Sequence, residues 1–363
     1  MFALGKNKGM AGQDPGSSSK EGARTRMFLA GLLTVGVSFA FSVFVAGCSR
    51  QDPPLNLKFW SISFSPDGGS VVTGGGEGAP FHAPEPGELV LWKIGSERER
   101  PIQQRASVRS VAWSPDGKFI AVGDLSGVAK LVDPKTGKTL LSFSPPASQV
   151  NAVACSGNGD LVAGATFDGT VELWNSNGKE WRLLMVPGEQ FLDVAFSRDG
   201  ASMVATARSG RGYLYNLANS GDPVKLQAYD GPPKKDSTCE CTAFAPDGLT
   251  FATGSLRRLA FWDTQTGRVQ HDVVCSANVN NVAFAPSGDV VATVHADGNL
   301  ALWNSQTGAL LNSAQAHPNE AFGLSFSPDG TRLATASRND FTIKIWDAAT
   351  LQLVASHHRF AAK

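Results

Sequence analysis

Cys239-Glu240-Cys241 is the densest grouping of reactive side chains in this 363-residue chain. At the start of a strand, residues two apart share one face, so the two thiols could act together, with Cys275 in a nearby loop. A zinc site would need a second Cys or His pair at matching spacing, and the sequence has none. In an exported chain a disulfide among Cys239, Cys241 and Cys275 is the more natural chemistry, with its connectivity open. The histidines, His82, His271, His295, His317, His357 and His358, are scattered and form no HExxH pattern. There is no GxSxG elbow and no P-loop. Gly74-Gly75-Gly76 lacks the Lys-Ser/Thr and the helix that a phosphate cradle requires. These residues point away from catalysis: no metal, no cofactor and no enzymatic activity are expected.

What must position these side chains is a repeated element. Seven strand-like runs end in turns of the Ser-Pro-Asp-Gly type, closed by Gly68, Gly117, Gly159, Gly200, Gly248, Gly288 and Gly330. Their spacings are 49, 42, 41, 48, 40 and 42 residues. A period of about 40 to 45 residues marks a four-stranded propeller blade rather than a helical repeat. The last repeat is the clearest: Ala321–Phe326, the turn Ser327–Gly330, Arg332–Ser337, Thr342–Asp347 and Leu351–Val354 read as four antiparallel strands, a to d. Proline presets φ in the a–b turn and glycine accepts positive φ. The expected fold is all-β, a seven-bladed propeller over residues 55–357 with a C-terminal tail at 358–363.

The repeats resemble the WD-repeat family of β-propellers over roughly residues 58–356. In that register the third-strand aromatic position holds Trp92, Val132, Trp174, Tyr215, Trp262, Trp303 and Trp346. These rings are read as wedge packing between blades, and Val132 makes blade 2 the expected loosest. Cys155 replaces the usual strand-a aromatic of blade 3. The family's hydrogen-bonded set of His, Ser or Thr, Asp and Trp is complete only in blade 7: His317, Thr335 or Ser337, Asp340 and Trp346. The resemblance implies a structural role for it. Each blade is contiguous, so the usual exchange of an N-terminal strand into the last blade is not evident. Only Leu55–Lys58 could pair there, and closure by side-chain packing of blade 7 on blade 1 is expected.

Residues 1–47 have a net charge of +3 against −3 for the remainder (27 basic, 30 acidic), which suggests no nucleic-acid partner. Met27–Ala46 is an uncharged stretch of 20 residues after a basic segment, and it ends in Val45-Ala46-Gly47-Cys48. Those four residues resemble the bacterial lipobox. The expectation is a lipoprotein-type signal peptide over 1–47, lipid on Cys48 and a short tether to residue 54. An uncleaved membrane helix is the other reading of a 20-residue apolar run. By family analogy, Ser49 after the cysteine permits outer-membrane sorting in a cell with two membranes.

Residues at the entrance of each strand a should ring the central funnel: Trp60, Arg109, Asn151, Leu192, Glu240, Asn280 and Phe322. Trp, Arg and Phe are the residue types that anchor interfaces. The bland alternative has Trp60 and Phe322 packing the seam between blades 7 and 1. The rim carries Arg208, Arg211, Arg257, Arg258, Arg338 and Lys234–Lys235 on one side, with Glu77, Glu85, Glu88, Asp124 and Asp168 on the other. Such asymmetry would orient a partner. The expected function is a monomeric, membrane-anchored scaffold that binds a protein or peptide on this face. A funnel-sited small-ligand, carbohydrate-binding or enzymatic propeller of the cell envelope is the alternative.

Overall fold

The computed structural model describes residues 58–77, 85–143, 148–219, 221–227 and 239–359, all within one compact unit, Gln51–Lys363. They form seven four-stranded antiparallel sheets, each built from one contiguous stretch of chain in the order a-b-c-d. Among the described residues there is no helix. Blade 1 runs Lys58–Phe64, Ser70–Gly76, Gly87–Lys93 and Glu99–Gln104. Blade 7 runs Ala321–Phe326, Arg332–Ser337, Thr342–Asp347 and Leu353–His358.

The a–b turns are small polar machines. Gly68 takes φ +66° and donates its N–H to Ser65 O at 2.8 Å. The Asp67 carboxylate accepts from Ser65 Oγ and from the Gly69 N–H, while Ser65 Oγ accepts the Ser70 N–H. The same bonds recur around Asp116, Asn158, Asp199 and Asp329. A residue with a Cβ would strain at that φ.

Seven hydrophobic clusters make up the core, and each bridges two neighbouring blades. Sheets packed face to face must bury their facing side chains against each other. The third-strand rings lie in these seams as wedges: Trp174 stacks on Phe143 of the preceding blade with centroids 4.5 Å apart. Trp92, Trp262, Trp303, Trp346 and Tyr215 are all buried. Val132 is buried too, in a cluster with Val72, Leu89 and Val108.

Around the central axis the strands a are laced together by side chains. Val111 N–H donates to Ser61 Oγ (3.2 Å) and Val153 N–H to Ser110 Oγ (3.0 Å). Asn151 Nδ2 donates to Phe191 O (2.7 Å), and Thr242 N–H to Asp193 Oδ2 (2.8 Å). Cys241 Sγ reaches Val279 O (3.8 Å), Asn280 Nδ2 donates to Ala321 O (3.0 Å), and Phe64 N–H donates to Ser325 Oγ (3.3 Å). Every blade-to-blade step thus has at least one such bond.

The ring closes without strand exchange among the described residues. Lys58 pairs with Gly76 inside blade 1, and residues 55–57 lie outside the described set. Closure combines the packing of Phe59, Ile62 and Trp92 on Ala334, Ile343 and Ile345 with polar contacts. Arg332 Nη2 donates to Gly68 O at 2.9 Å. His357 stacks on Trp92 with centroids 5.2 Å apart and bonds Glu99 Oε2. Arg359 pairs with the fully buried Glu88 and with Glu99. Strand d of blade 7 therefore runs to His358, and Arg359 belongs to the blade although the expected tail began at 358.

Candidate interaction site at the start of the strands a

A register shift occurs once in every strand a. It falls between Phe59 and Ser61, Val108 and Ser110, Val150 and Ala152, and Phe191 and Asp193. In the last three blades it falls between Cys239 and Cys241, Val279 and Asn281, and Ala321 and Gly323. The extra residues are Trp60, Arg109, Asn151, Leu192, Glu240, Asn280 and Phe322, the seven read from sequence as the funnel ring. A bulge leaves one residue outside the ladder and re-aims its side chain. This also removes the two-residue alternation on which a shared face for Cys239 and Cys241 rested. The side chain of Cys239 lies outside the described residues. Cys155 and Cys275 are free thiols, and burial pushes both up to about 12.

Four of the bulge residues converge. Trp60 meets Phe322 edge-on across the seam between blades 7 and 1, with centroids 5.5 Å apart. Arg109 lies over the Trp60 ring at 4.2 Å. Arg338, from the b–c turn of blade 7, lies 5.0 Å from both the Trp60 and the Phe322 rings. Glu240 is within electrostatic reach of Arg109, as is Asp193, one residue beyond the blade 4 bulge. Burial lowers Arg109 to about 10, the charge of Glu240 opposes that, and the like charge of Arg338 adds to it. Burial raises Asp193 to about 7, against the pull of its bonds from the Thr242 and Val194 N–H groups and of the Arg109 charge.

The other expected site residues are placed elsewhere or differently used. Asn151 and Asn280 spend their amides on inter-blade bonds. Arg257 is exposed in the b–c turn of blade 5 at φ +57°, and Arg258 pairs across strands with Asp272. Trp60 and Phe322 meet across the seam between blades 7 and 1, which is the packing that the alternative reading gave them. Much of the rim charge is matched internally: Arg211 with Glu189, Arg338 with Glu320, Asp124 with Lys130, and Glu88 with Arg359. The strong asymmetry read from sequence is reduced by these pairs. Lys234 and Lys235 lie outside the described residues, as do Cys48 and the whole expected signal and tether. Among the described residues no helix is long and apolar enough to cross a membrane, and no three metal-ligating side chains group together.

The polar set of blade 7 is formed in full. Trp346 Nε1 donates to Thr335 Oγ1 at 2.9 Å, Thr335 Oγ1 meets His317 Nε2 at 2.9 Å, and His317 Nδ1 meets Asp340 Oδ2 at 2.9 Å. Burial would raise Asp340, but the bonds from His317 and Thr342 prevail and hold it near pKa 2. Ser337, the alternative member, instead donates to Glu320 O. Other blades improvise. In blade 6 His295 joins from strand b, where it contacts the same Thr293 hydroxyl that accepts the Trp303 N–H. In blade 4 Glu189 gathers Ser209, Arg211 and Tyr213. In blade 2 Asp124 takes the b–c turn with Ser126 and Lys130. A search for an Asp at the register of Asp340, six residues before the third-strand aromatic, misses these because the carboxylate or imidazole arrives from another position. A buried-polar residue in an apolar strand or just before strand a was the available signal.

Residues 267–304 and 308–347 match the WD domain, G-beta repeat, and residues 89–158 match the anaphase-promoting complex subunit 4 WD40 domain. Autophagy-related protein 16 of Arabidopsis thaliana is 27% identical over 210 residues, covering 56% of this chain and 40% of that protein. WD repeat-containing protein 1 of Mus musculus is 25% identical over 253 residues, 67% of this chain and 34% of that protein. The periodic tryptophan protein 2 homolog of Dictyostelium discoideum is 25% identical over 328 residues, 88% of this chain and 30% of that protein. The chain thus spans between 30% and 40% of the length of these relatives. It carries WD repeats, in agreement with its seven blades.

Proposed function

We propose that this WD-repeat propeller is a non-catalytic interaction scaffold that binds a protein or peptide at the face where the strands a begin. The observation that carries the reading is the cluster of Trp60, Phe322, Arg109 and Arg338. Bulges in strands a of blades 1, 2 and 7 deliver three of its residues, and Arg338 comes from a turn of blade 7. Aromatic and arginine side chains held on a rigid frame are the usual anchors of protein interfaces. The frame is rigid here because each seam has its own apolar cluster and its own strand-to-strand bond. Propellers also serve unrelated chemistries, and it is this cluster, not the fold, that favours a protein or peptide ligand.

We further propose that lipid on Cys48 holds the ring, as a monomer, at a membrane of the cell envelope. The support is sequence alone: a basic segment, the apolar run Met27–Ala46 and the Val-Ala-Gly-Cys ending. The decisive experiment is crosslinking of the full chain in its native membrane, with identification of what is captured. Recovery of a defined protein partner supports the scaffold; recovery of none, with a small molecule retained in the purified ring, overturns it. Cys48→Ala should abolish lipid attachment, and a variant that still partitions as an acylated protein refutes the anchor.

A further inference from the structure

We propose that the Trp60–Arg109–Arg338 cluster is a seat for a carboxylate on an acidic segment of the partner protein. This deepens the scaffold reading and rests on it. The cluster is rich in donors and short of acceptors. Trp60 is 7% exposed, and its indole N–H is buried without an acceptor. The half-buried Arg109 stacks on that ring, yet among the described residues its guanidinium makes no hydrogen bond or ion pair. A buried donor without a partner is costly, and a cation more so. Arg338 brings a second guanidinium to the other contact with the ring. Its own partner, Glu320, lies at 2.7 Å, and both side chains are about a third exposed, so that pair can be exchanged.

Charge selects the class of anion. Arg109 and Arg338 are offset by Glu320 and, at longer range, by Glu240 and Asp193. A singly charged carboxylate that takes the place of Glu320 at Arg338 leaves this balance unchanged, whereas a doubly charged phosphate would add a net negative charge beside Glu240 and Asp193. The planar fork of a guanidinium takes a carboxylate through two parallel bonds. Half-buried Phe322 offers an apolar neighbour for a flanking side chain, which favours a peptide over a free small acid.

The test measures fluorescence anisotropy of labelled hexaglutamate and hexalysine peptides with the purified full chain at physiological ionic strength. Hexaglutamate should bind and hexalysine should not. Arg109→Gln should weaken hexaglutamate binding by roughly tenfold or more, as for a hot-spot arginine. Arg109→Lys, which keeps charge but not the fork, should recover only part of it. Melting temperatures of the variants control for folding, and Arg338→Gln provides a second, more exposed position. Equal binding of the two peptides, or unchanged affinity in both glutamine variants, overturns the proposal. Displacement by inorganic phosphate at concentrations where acetate does nothing also overturns it, in favour of a phosphate site. If Arg109→Gln leaves crosslinked partner capture intact and hexaglutamate does not bind, the seat falls and the scaffold stands.

Discussion

Thr335 and Thr73 occupy the same place, five residues after the a–b turn glycine, and should respond oppositely to loss of their hydroxyls. Thr335 links Trp346 to His317, with the proton on His317 Nδ1 assigned from the bond to Asp340. Thr73 Oγ1 is buried without a partner, because Trp92 Nε1 donates to Ser96 O instead. Thr335→Val should cost about 2–4 kcal/mol by orphaning two buried groups, while Thr73→Val should be neutral or slightly stabilising; urea unfolding of both variants decides. Asp193 governs a pH effect. Its pKa is about 7 in the fold and about 4 unfolded, so the folded state holds the proton between these values. Its contribution is present below pH ~4 and is lost as pH rises to ~7. Asp193→Asn should flatten the melting-temperature profile in that window; an unchanged slope would place the effect elsewhere. For Asp340, held near pKa 2, the sign reverses, and stability is lost as pH falls from ~4 towards 2.

At the scale of the element, the b–c turn and the d–a loop are fitted to one another through glycine. Gly298 has φ +81°, and its carbonyl accepts both the Ala316 and His317 N–H groups. A Cβ there would sit 2.1 Å from His317 O and 2.3 Å from Asn319 O. Gly298→Ala should therefore displace the loop carrying His317 and cost about 3 kcal/mol or more, by strain at φ and by disruption of the polar set. Gly95 has φ +78° but nothing within 4 Å, so Gly95→Ala should cost only about 1 kcal/mol. Thermal unfolding of the pair separates the fit from the dihedral. The a–b turns, rather than these, were legible in sequence because Pro, Asp and Gly act locally and repeat at one period. The bulge positions were legible as the entrance residues of each strand a, though not as bulges. Asp193, Glu189 and the stacking of Arg338 on Trp60 were not legible, since each depends on a residue from another blade or loop with no shared spacing.

For the whole molecule, the seam between blades 7 and 1 is a polar clasp over an apolar floor. Arg359 is 10% exposed in its side chain and sits against Glu88, which is 0% exposed. Burial raises the pKa of Glu88 against the bond and charge of Arg359. Arg359→Ala should cost about 3 kcal/mol near neutral pH by leaving a buried carboxylate unpaired. The loss should shrink at mildly acidic pH, where Glu88 can take up a proton, and Glu88→Gln in the same chain should restore part of it. Urea titrations at two pH values read all three; a pH-independent loss would mean that Arg359 acts only through packing.

The contiguity of the blades also dictates an order of assembly. Among the described residues all the strand pairing lies within single blades, so each sheet can form as soon as its own stretch of chain is available. Only the last seam joins residues 258 to 271 positions apart. Closing a loop of that length costs roughly 2 kcal/mol more in chain entropy than closing one of a single blade. Until His357 and Arg359 arrive, blade 1 exposes the apolar face that blade 7 will cover. Synthesis from the N-terminus therefore makes the start of the ring wait longest for its neighbour, and leaves that face to be shielded by whatever surrounds the growing chain.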